Sequence, residues 1–263
     1  MPASPEARSL AVFCDFENVA LGVREAKYAQ FDMEKVLERL LAKGSIVVKK
    51  AYCDWDRYKE FKAAMHAASF ELIEIPHLRQ SGKNSADIRM VVDALDLCYT
   101  KGHVDTFVIV SGDSDFSPLV SKLRENAKLV IGVGVKNSSS DLLINNCDEF
   151  IYYDDLVRAE EQKRRAAKKR RESAPVGDHK KDKKQEAFDL MLGTLEALIA
   201  ERGADEKIWG SMVKQALKRR HPGFNETYYG FGAFADLLEE AQQKGLIKLE
   251  PDEKSGGYIL RPA

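Results

Sequence analysis

Phe107-Val108-Ile109-Val110-Ser111-Gly112-Asp113-Ser114-Asp115-Phe116 is the stretch on which the fold turns. Its first four residues form a short apolar run rich in β-branched side chains, the pattern of a strand buried on both faces. The run stops at Ser111-Gly112, and two carboxylates follow at Asp113 and Asp115. In an open α/β sheet, ligands bind outside the carboxyl ends of the strands. Two acids one position apart repel each other unless a cation sits between them, and a divalent metal held by oxygen ligands meets that need. Asp115 also fits the N-cap of a helix running from Phe116 toward Asn126. These ten residues alone leave both readings open.

The pattern recurs outward in both directions. Leu10-Ala11-Val12-Phe13-Cys14 predicts a buried strand that ends in Asp15-Phe16-Glu17-Asn18. Val19 to Phe31 shows no clear period and predicts a loop or irregular helix. From Asp32, which is placed to cap, Met33, Val36, Leu37, Leu40 and Leu41 mark a helical face closed by Gly44. Residues 45–53 predict a second strand, 56–69 a helix, and 70–75 a third strand stopped by Pro76. The polar loop 77–85, containing Lys83, opens a helix over 86–100, with Asp87 in its first turn. Ile88, Val91, Val92, Leu95 and Tyr99 are expected on its inward stripe. Residues 128–135 and 149–153 complete the strands, with a short helix over 140–145 between them. Strands that are nearly all apolar, alternating with helices, predict a three-layer α/β/α sandwich with a mainly parallel sheet.

Composition sets limits on the class. Across 263 residues, 44% hydrophobic and 32% charged is ordinary for a water-soluble globular protein, and no apolar run is long enough to span a bilayer. The first residues carry no signal-peptide architecture. Cys14, Cys53, Cys98 and Cys147 are widely spaced without a CxxC pair, which points to reduced thiols in a cytoplasmic protein and away from zinc. The net charge of −1 hides an asymmetry: residues 158–184 hold 12 Lys and Arg against 5 Asp and Glu. This basic connector, a charged helix followed by a linker around Ser173-Ala174-Pro175-Val176-Gly177, fits a solvated surface helix and equally a phosphate-attracting segment.

A second, smaller domain follows over 185–263. Phe188, Met191, Leu192, Leu195, Leu198 and Ile199 mark one helix, residues 208–219 a second, and 233–244 a third. Two short strands about Ser255-Gly256-Gly257 make a terminal hairpin. Three helices and a hairpin are the plan of a winged helix.

Asp15, Asp87, Asp113 and Asp115 thus gather at strand ends and a helix opening. If the first and fourth strands lie side by side, these acids surround one oxygen-only pocket, a donor set suited to Mg²⁺ or Mn²⁺ and to phosphoryl chemistry. Residues 9–157 resemble the NYN domain family, a branch of the PIN-like nucleases. The resemblance rests on Asp15-Phe16-Glu17-Asn18, Lys83-Asn84-Ser85-Ala86-Asp87, Ser111-Gly112-Asp113-Ser114-Asp115-Phe116 and the ending Asn146-Cys147-Asp148-Glu149-Phe150. Residues 185–263 resemble the LOTUS (OST-HTH) winged-helix module through His221-Pro222-Gly223-Phe224 and the run Tyr229 to Leu238.

The resemblance implies metal-dependent hydrolysis of RNA by an endoribonuclease, with Asp15, Asp87, Asp113 and Asp115 as metal ligands. It further implies that Asn18 bonds a carboxylate or phosphate, that Ser111 orients Asp113, and that Lys83 holds a substrate phosphate. In the LOTUS-like module, Lys218-Arg219-Arg220 would contact phosphate and Tyr229 would stack on a base, while a protein partner is the other implied occupant. Each residue has a plainer role available: Asp87 as a helix N-terminal acid, Asn18 as a turn former, Asp93 and Asp96 as solvated helix acids, Tyr229 as core. A non-catalytic RNA- or protein-binding adaptor is the alternative for the whole chain. An aspartyl-phosphate phosphatase is disfavoured, because Asp15-Phe16-Glu17 lacks the second aspartate of that pattern.

Overall fold

Every apolar run of the N-terminal part becomes a strand of one sheet in the computed structural model, which describes residues 8–28, 30–75, 85–172 (backbone alone from 163), 183–203, 206–252 and 257–263. The strands are β1 (Arg8–Asp15), β2 (Gly44–Cys53), β3 (Glu71–Glu74), β4 (Thr106–Val110), β5 (Leu129–Gly134) and β6 (Glu149–Tyr152). They lie in the order β3-β2-β1-β4-β5-β6. The pairs β2–β3, β1–β4, β4–β5 and β5–β6 are all parallel. Seven helices accompany them: α1 (Phe16–Glu25), α2 (Met33–Lys43), α3 (Lys59–Ala67), α4 (Ser85–Thr100), α5 (Ser117–Glu125), α6 (Asp141–Asn146) and α7 (Tyr153–Glu172). This is the expected mainly parallel α/β sandwich. The chain clusters into two compact units, Met1–Leu37 with Ser45–Ser173 and Glu38–Gly44 with Ala174–Ala263.

The two central strands are buried on both faces. Ala11, Phe13, Phe107 and Ile109 point into a core with Met90, Ala94 and Cys98 of α4 and Leu119, Val120 and Leu123 of α5. Their neighbours Leu10, Val12, Cys14, Val108 and Val110 face the other way and are equally inaccessible. Sheet growth reverses at the β1–β4 seam, because β2 and β3 extend to one side and β5 and β6 to the other. Cys14 pairs with Val110 there, so Asp15 and Ser111 emerge as neighbours.

Two elements differ from expectation. The segment beginning at Val19 is part of a helix, α1, whose first turn is capped by Asp15: its side chain accepts from the Asn18 N–H. Phe16, Val19 and Val23 are its buried face, and exposed Leu21 blurs the period in sequence. Helix α4 is present, but rotated from the expected facing. Met90, Ala94 and Cys98 are buried, with Val91 and Leu95 packed beside them. Ile88, Val92 and Tyr99 are 63%, 56% and 65% exposed. The helix carries apolar residues around most of its circumference, so periodicity offers two inward faces, and small Ala94 settles the choice by permitting close approach to the sheet.

The second unit contains α8 (Lys183–Arg202), β7 (Ile208–Trp209), α9 (Gly210–Arg220), α10 (Phe234–Gln243), β8 (Ile247–Asp252) and β9 (Gly257–Pro262). A three-stranded antiparallel sheet runs β7-β9-β8. Ile208-Trp209, expected to begin a helix, instead pairs with Leu260 and Ile259 as a short strand. The order helix, strand, two helices, hairpin is that of a winged helix. Phe188, Leu195, Leu217, Leu238 and Leu260 meet in its core. Residues 173–182, which hold the expected linker, lie outside the described residues. Among the described residues, no helix is long and apolar enough to cross a membrane.

Phe16 ties the sheet edge to its surroundings. Directly after Asp15, its ring sits 5.0 Å from both Trp55 and Phe61 and 5.7 Å from Tyr58. Replacing it empties the centre of that cluster. The substitution Phe16→Ala is expected to cost about 3–5 kcal/mol of unfolding free energy in urea titration, and a loss below about 1 kcal/mol would show that the cluster does not anchor α1.

Candidate active site

The loop after β4 is built by short local bonds that position its acids. The Asp113 N–H donates to Ser111 Oγ at 3.1 Å, and Asp113 Oδ1 accepts from the Asp115 N–H at 3.0 Å. Asp113, rather than Asp115, is therefore the cap of the 3₁₀ turn Ser114–Phe116 that leads into α5. Across the seam, Ser111 Oγ donates to Asp15 Oδ2 at 3.0 Å. The Gly112 N–H donates to Asn18 Oδ1 at 2.9 Å. Ser111 thus aligns the Asp15 carboxylate and the Asp113 backbone together. Asn18 spends its amide oxygen in joining the two strand ends, so that atom is not a substrate contact.

Gly112 permits this approach. A Cβ there would lie 2.3 Å from the Ser138 carbonyl oxygen and 2.9 Å from the Ser139 Cα. The Ser140 N–H donates to the Gly112 carbonyl at 2.9 Å, so the backbone beyond β5 closes over the glycine.

The electrostatics tie the acids into one group. Burial, then the charge of Asp87, pushes the Asp15 carboxyl up to about 7, against the lowering effect of its bonds from Ser111 and Asn18. Burial first, and then Asp113, Asp115 and Glu17, raises Asp87 as well. Asp15 is 8% exposed, whereas Asp87 and Asp113 are half-buried and Asp115 faces solvent. Asp87 and Asp113 thus act on Asp15, and Asp113 and Asp115 on Asp87. Glu17, one turn into α1, adds its charge near Asp87 while paired with Arg57 at 3.2 Å; only the short spacing from Asp15 hinted at it.

The donor chemistry fits a hard divalent cation, since, apart from burial and hydrogen bonds, the groups that shift Asp15 and Asp87 are all carboxylates. Among the described residues, no three such side chains close into a finished ligand set.

Other expected residues fall elsewhere. Lys83 lies outside the described residues. Asp93 accepts from Tyr52 Oη at 2.9 Å and from Arg89 at 3.0 Å, so it braces α4 against β2, and Asp96 is exposed. In the second unit, Tyr229 is 9% exposed and stacks on Phe224 at 5.2 Å. It is core, not a stacking platform; its neighbour Tyr228 is 61% exposed. Arg220 donates to the Gly193 carbonyl at 2.9 Å and Arg219 is half-buried, which leaves Lys218 as the solvent-facing cation of that run.

Parallel strands 1 and 4 side by side, with aspartates crowding their carboxyl ends, define a PIN-like α/β domain. Residues 9–156 match the NYN domain model, and the chain belongs to the NYN domain family. It is 30% identical over 125 residues to the uncharacterized protein MJ0482 of Methanocaldococcus jannaschii, covering 48% of this chain and 49% of that protein. It is also 26% identical over 148 residues to the meiosis regulator and mRNA stability factor 1 of Xenopus tropicalis, covering 56% of this chain and 9% of that protein. The chain therefore spans about half of the first relative and a small part of the second. Among solved structures, VPA0982 from Vibrio parahaemolyticus, a protein of unknown function, aligns with a TM-score of 0.52 at 28% identity, covering 58% of this chain and 97% of that one.

Asp15 makes stability depend on pH. Its folded value near 7 exceeds that of an unfolded aspartate, about 4, so between them the native state holds a proton that the unfolded state has lost. Stability falls as pH rises through that window and levels off above it. Urea unfolding of the metal-free protein at pH 5, 6, 7 and 8 is expected to show wild type losing about 1 kcal/mol per pH unit below 7 relative to Asp15→Asn. Parallel curves for the two proteins would place the proton elsewhere.

Proposed function

We propose that this protein is a divalent-metal-dependent ribonuclease that hydrolyses RNA phosphodiesters at the Asp15, Asp87, Asp113 and Asp115 cluster. The carrying observation is the buried Asp15 at the β1–β4 seam, whose proton affinity burial and then the charge of Asp87 raise, beside Asp87, which burial and then Asp113 and Asp115 raise. Membership of the NYN family and similarity to a protein named for mRNA stability support a nucleic-acid substrate. Mg²⁺ or Mn²⁺ held there would supply an activated water and offset the charge developing on the phosphate. The chain's own residues do the rest. Ser111 keeps Asp15 and the Asp113 backbone in register, Asn18 and Gly112 lock the two strand ends, and Asp115 sits on the solvent side, where a phosphate backbone would arrive.

The three parts then divide the work as 9–157 for cleavage, 158–184 as a basic connector, and 185–263 as a LOTUS-type module that recruits RNA, or a protein bound to it. The winged-helix element order supports the last assignment, and exposed Lys218 is its available phosphate contact. With Tyr229 in the core, exposed Tyr228 is an aromatic still open to a base in that module.

Cleavage of a labelled mixed-sequence RNA with Mn²⁺ is expected to need the metal, and to fall at least about a hundredfold in Asp113→Asn, the upper end of what outer-shell groups around a metal contribute. Equal cleavage by both proteins would place the chemistry elsewhere, and tight RNA binding with no cleavage by either would establish the adaptor reading. Separately, Lys218→Ala is expected to reduce the slope of log affinity against log salt by about 0.7, one phosphate contact on a single strand, as read by fluorescence anisotropy. An unchanged slope would remove the second unit from the RNA interface.

A further inference from the structure

Helix α4 leaves a substantial part of its apolar surface uncovered, and it does so beside the acids. A cleft of about 680 Å³ lies between α4, α5 and the start of α6, large enough for a small organic ligand. Asp87 and Asp115 line it, and Ile88, Val92 and Leu142 form its apolar walls. Ile88 and Val92 are the residues expected inside the core; Leu142 is 58% exposed. Large apolar side chains held open to water around one cleft mark a binding surface rather than scattered surface residues. Ser114 and Ser121 also line it, as does Ser117, whose hydroxyl is buried behind the wall.

We propose that this cleft holds the nucleoside next to the scissile phosphate of a single-stranded RNA. The inference rests on the ribonuclease reading for its orientation: a phosphate at the Asp87–Asp115 end puts the adjoining sugar and base in the cleft. Charge supports this occupant. None of the cleft's lining side chains among the described residues is basic, so it suits an uncharged nucleoside and not a second phosphate. A base presents two apolar faces to the walls and polar edges to Ser114 and Ser121. Aliphatic walls exclude a base that remains stacked in a duplex, which restricts the occupant to unpaired RNA.

Two wall variants, Ile88→Ser and Leu142→Ser, replace exposed side chains and so spare the core. A fluorescent 12-nucleotide RNA and the same RNA carrying one abasic residue walked along it are measured for binding in Ca²⁺ and cleavage in Mn²⁺. The expected result is about a tenfold loss of affinity in each variant. One abasic position, flanking the cut, should cost wild type a similar factor and cost the variants nothing further. Losses from the variant and the abasic residue that multiply, or variants that bind and cleave as wild type does, overturn the cleft assignment while the nuclease reading stands. Wild-type RNA that binds with the abasic and wall effects coupled but is never cut keeps the cleft and overturns the chemistry. Unchanged RNA binding with loss of self-association in sedimentation reassigns this face to a second copy of the chain and also overturns the proposal.

Discussion

A buried carboxylate at the seam of two parallel strands is the constraint around which this molecule is arranged. Asp15 is removed from water, lies near other acids, and accepts hydrogen bonds from Ser111 and the Asn18 backbone. Burial of a carboxylate without a cation is unfavourable, and here the cost appears as proton affinity raised to about 7. Such an arrangement persists because the strands beneath it are over-determined. Leu10 to Cys14 and Phe107 to Val110 are fully buried on both faces, and their register leaves no freedom to move the acids apart.

Short, local devices finish the site. Asp15 caps α1 and Asp113 caps the turn before α5, so both acids have a structural duty besides the chemical one proposed for them. A cap uses one carboxylate oxygen; in Asp15 the cap takes Oδ1 and Ser111 takes Oδ2. Gly112 adds the remaining requirement, a backbone thin enough for the chain beyond β5 to close over it at van der Waals limits. The same loop also accounts for Asn18, whose amide oxygen joins strand ends instead of reaching outward.

The second unit shows how burial redistributes candidate contacts. Aromatic residues in a domain of this size are needed inside: Phe188 packs edge-on to Phe231 at 5.7 Å and Phe224 stacks on Tyr229 at 5.2 Å. What remains for a charged partner is the polar periphery, including Lys218. Arg220 is committed to a helix carbonyl, which illustrates that a basic run on a helix does not present all its charges in one direction.

The succession of strands, the parallel sheet, the acids at strand ends and the winged-helix plan were all legible in the sequence, because each rests on local periodicity and on where an apolar run stops. Helix α1 was legible only as a choice between loop and irregular helix, since its stripe is broken by exposed Leu21 and its cap, Asp15, also reads as a strand terminus. The facing of α4 was not legible: Ile88, Val92 and Tyr99 match a helical stripe as well as Met90, Ala94 and Cys98 do. Only the packing of α4 on β1 and β4 selects between them, through the small size of Ala94. Likewise, sequence placed Tyr229 among possible contacts, and the aromatic packing around Phe224 buried it. The chain alone determined which residues could form the site. Tertiary structure decided which side of each helix faces water, because that choice depends on the fit between surfaces distant in sequence, a quantity no local pattern carries.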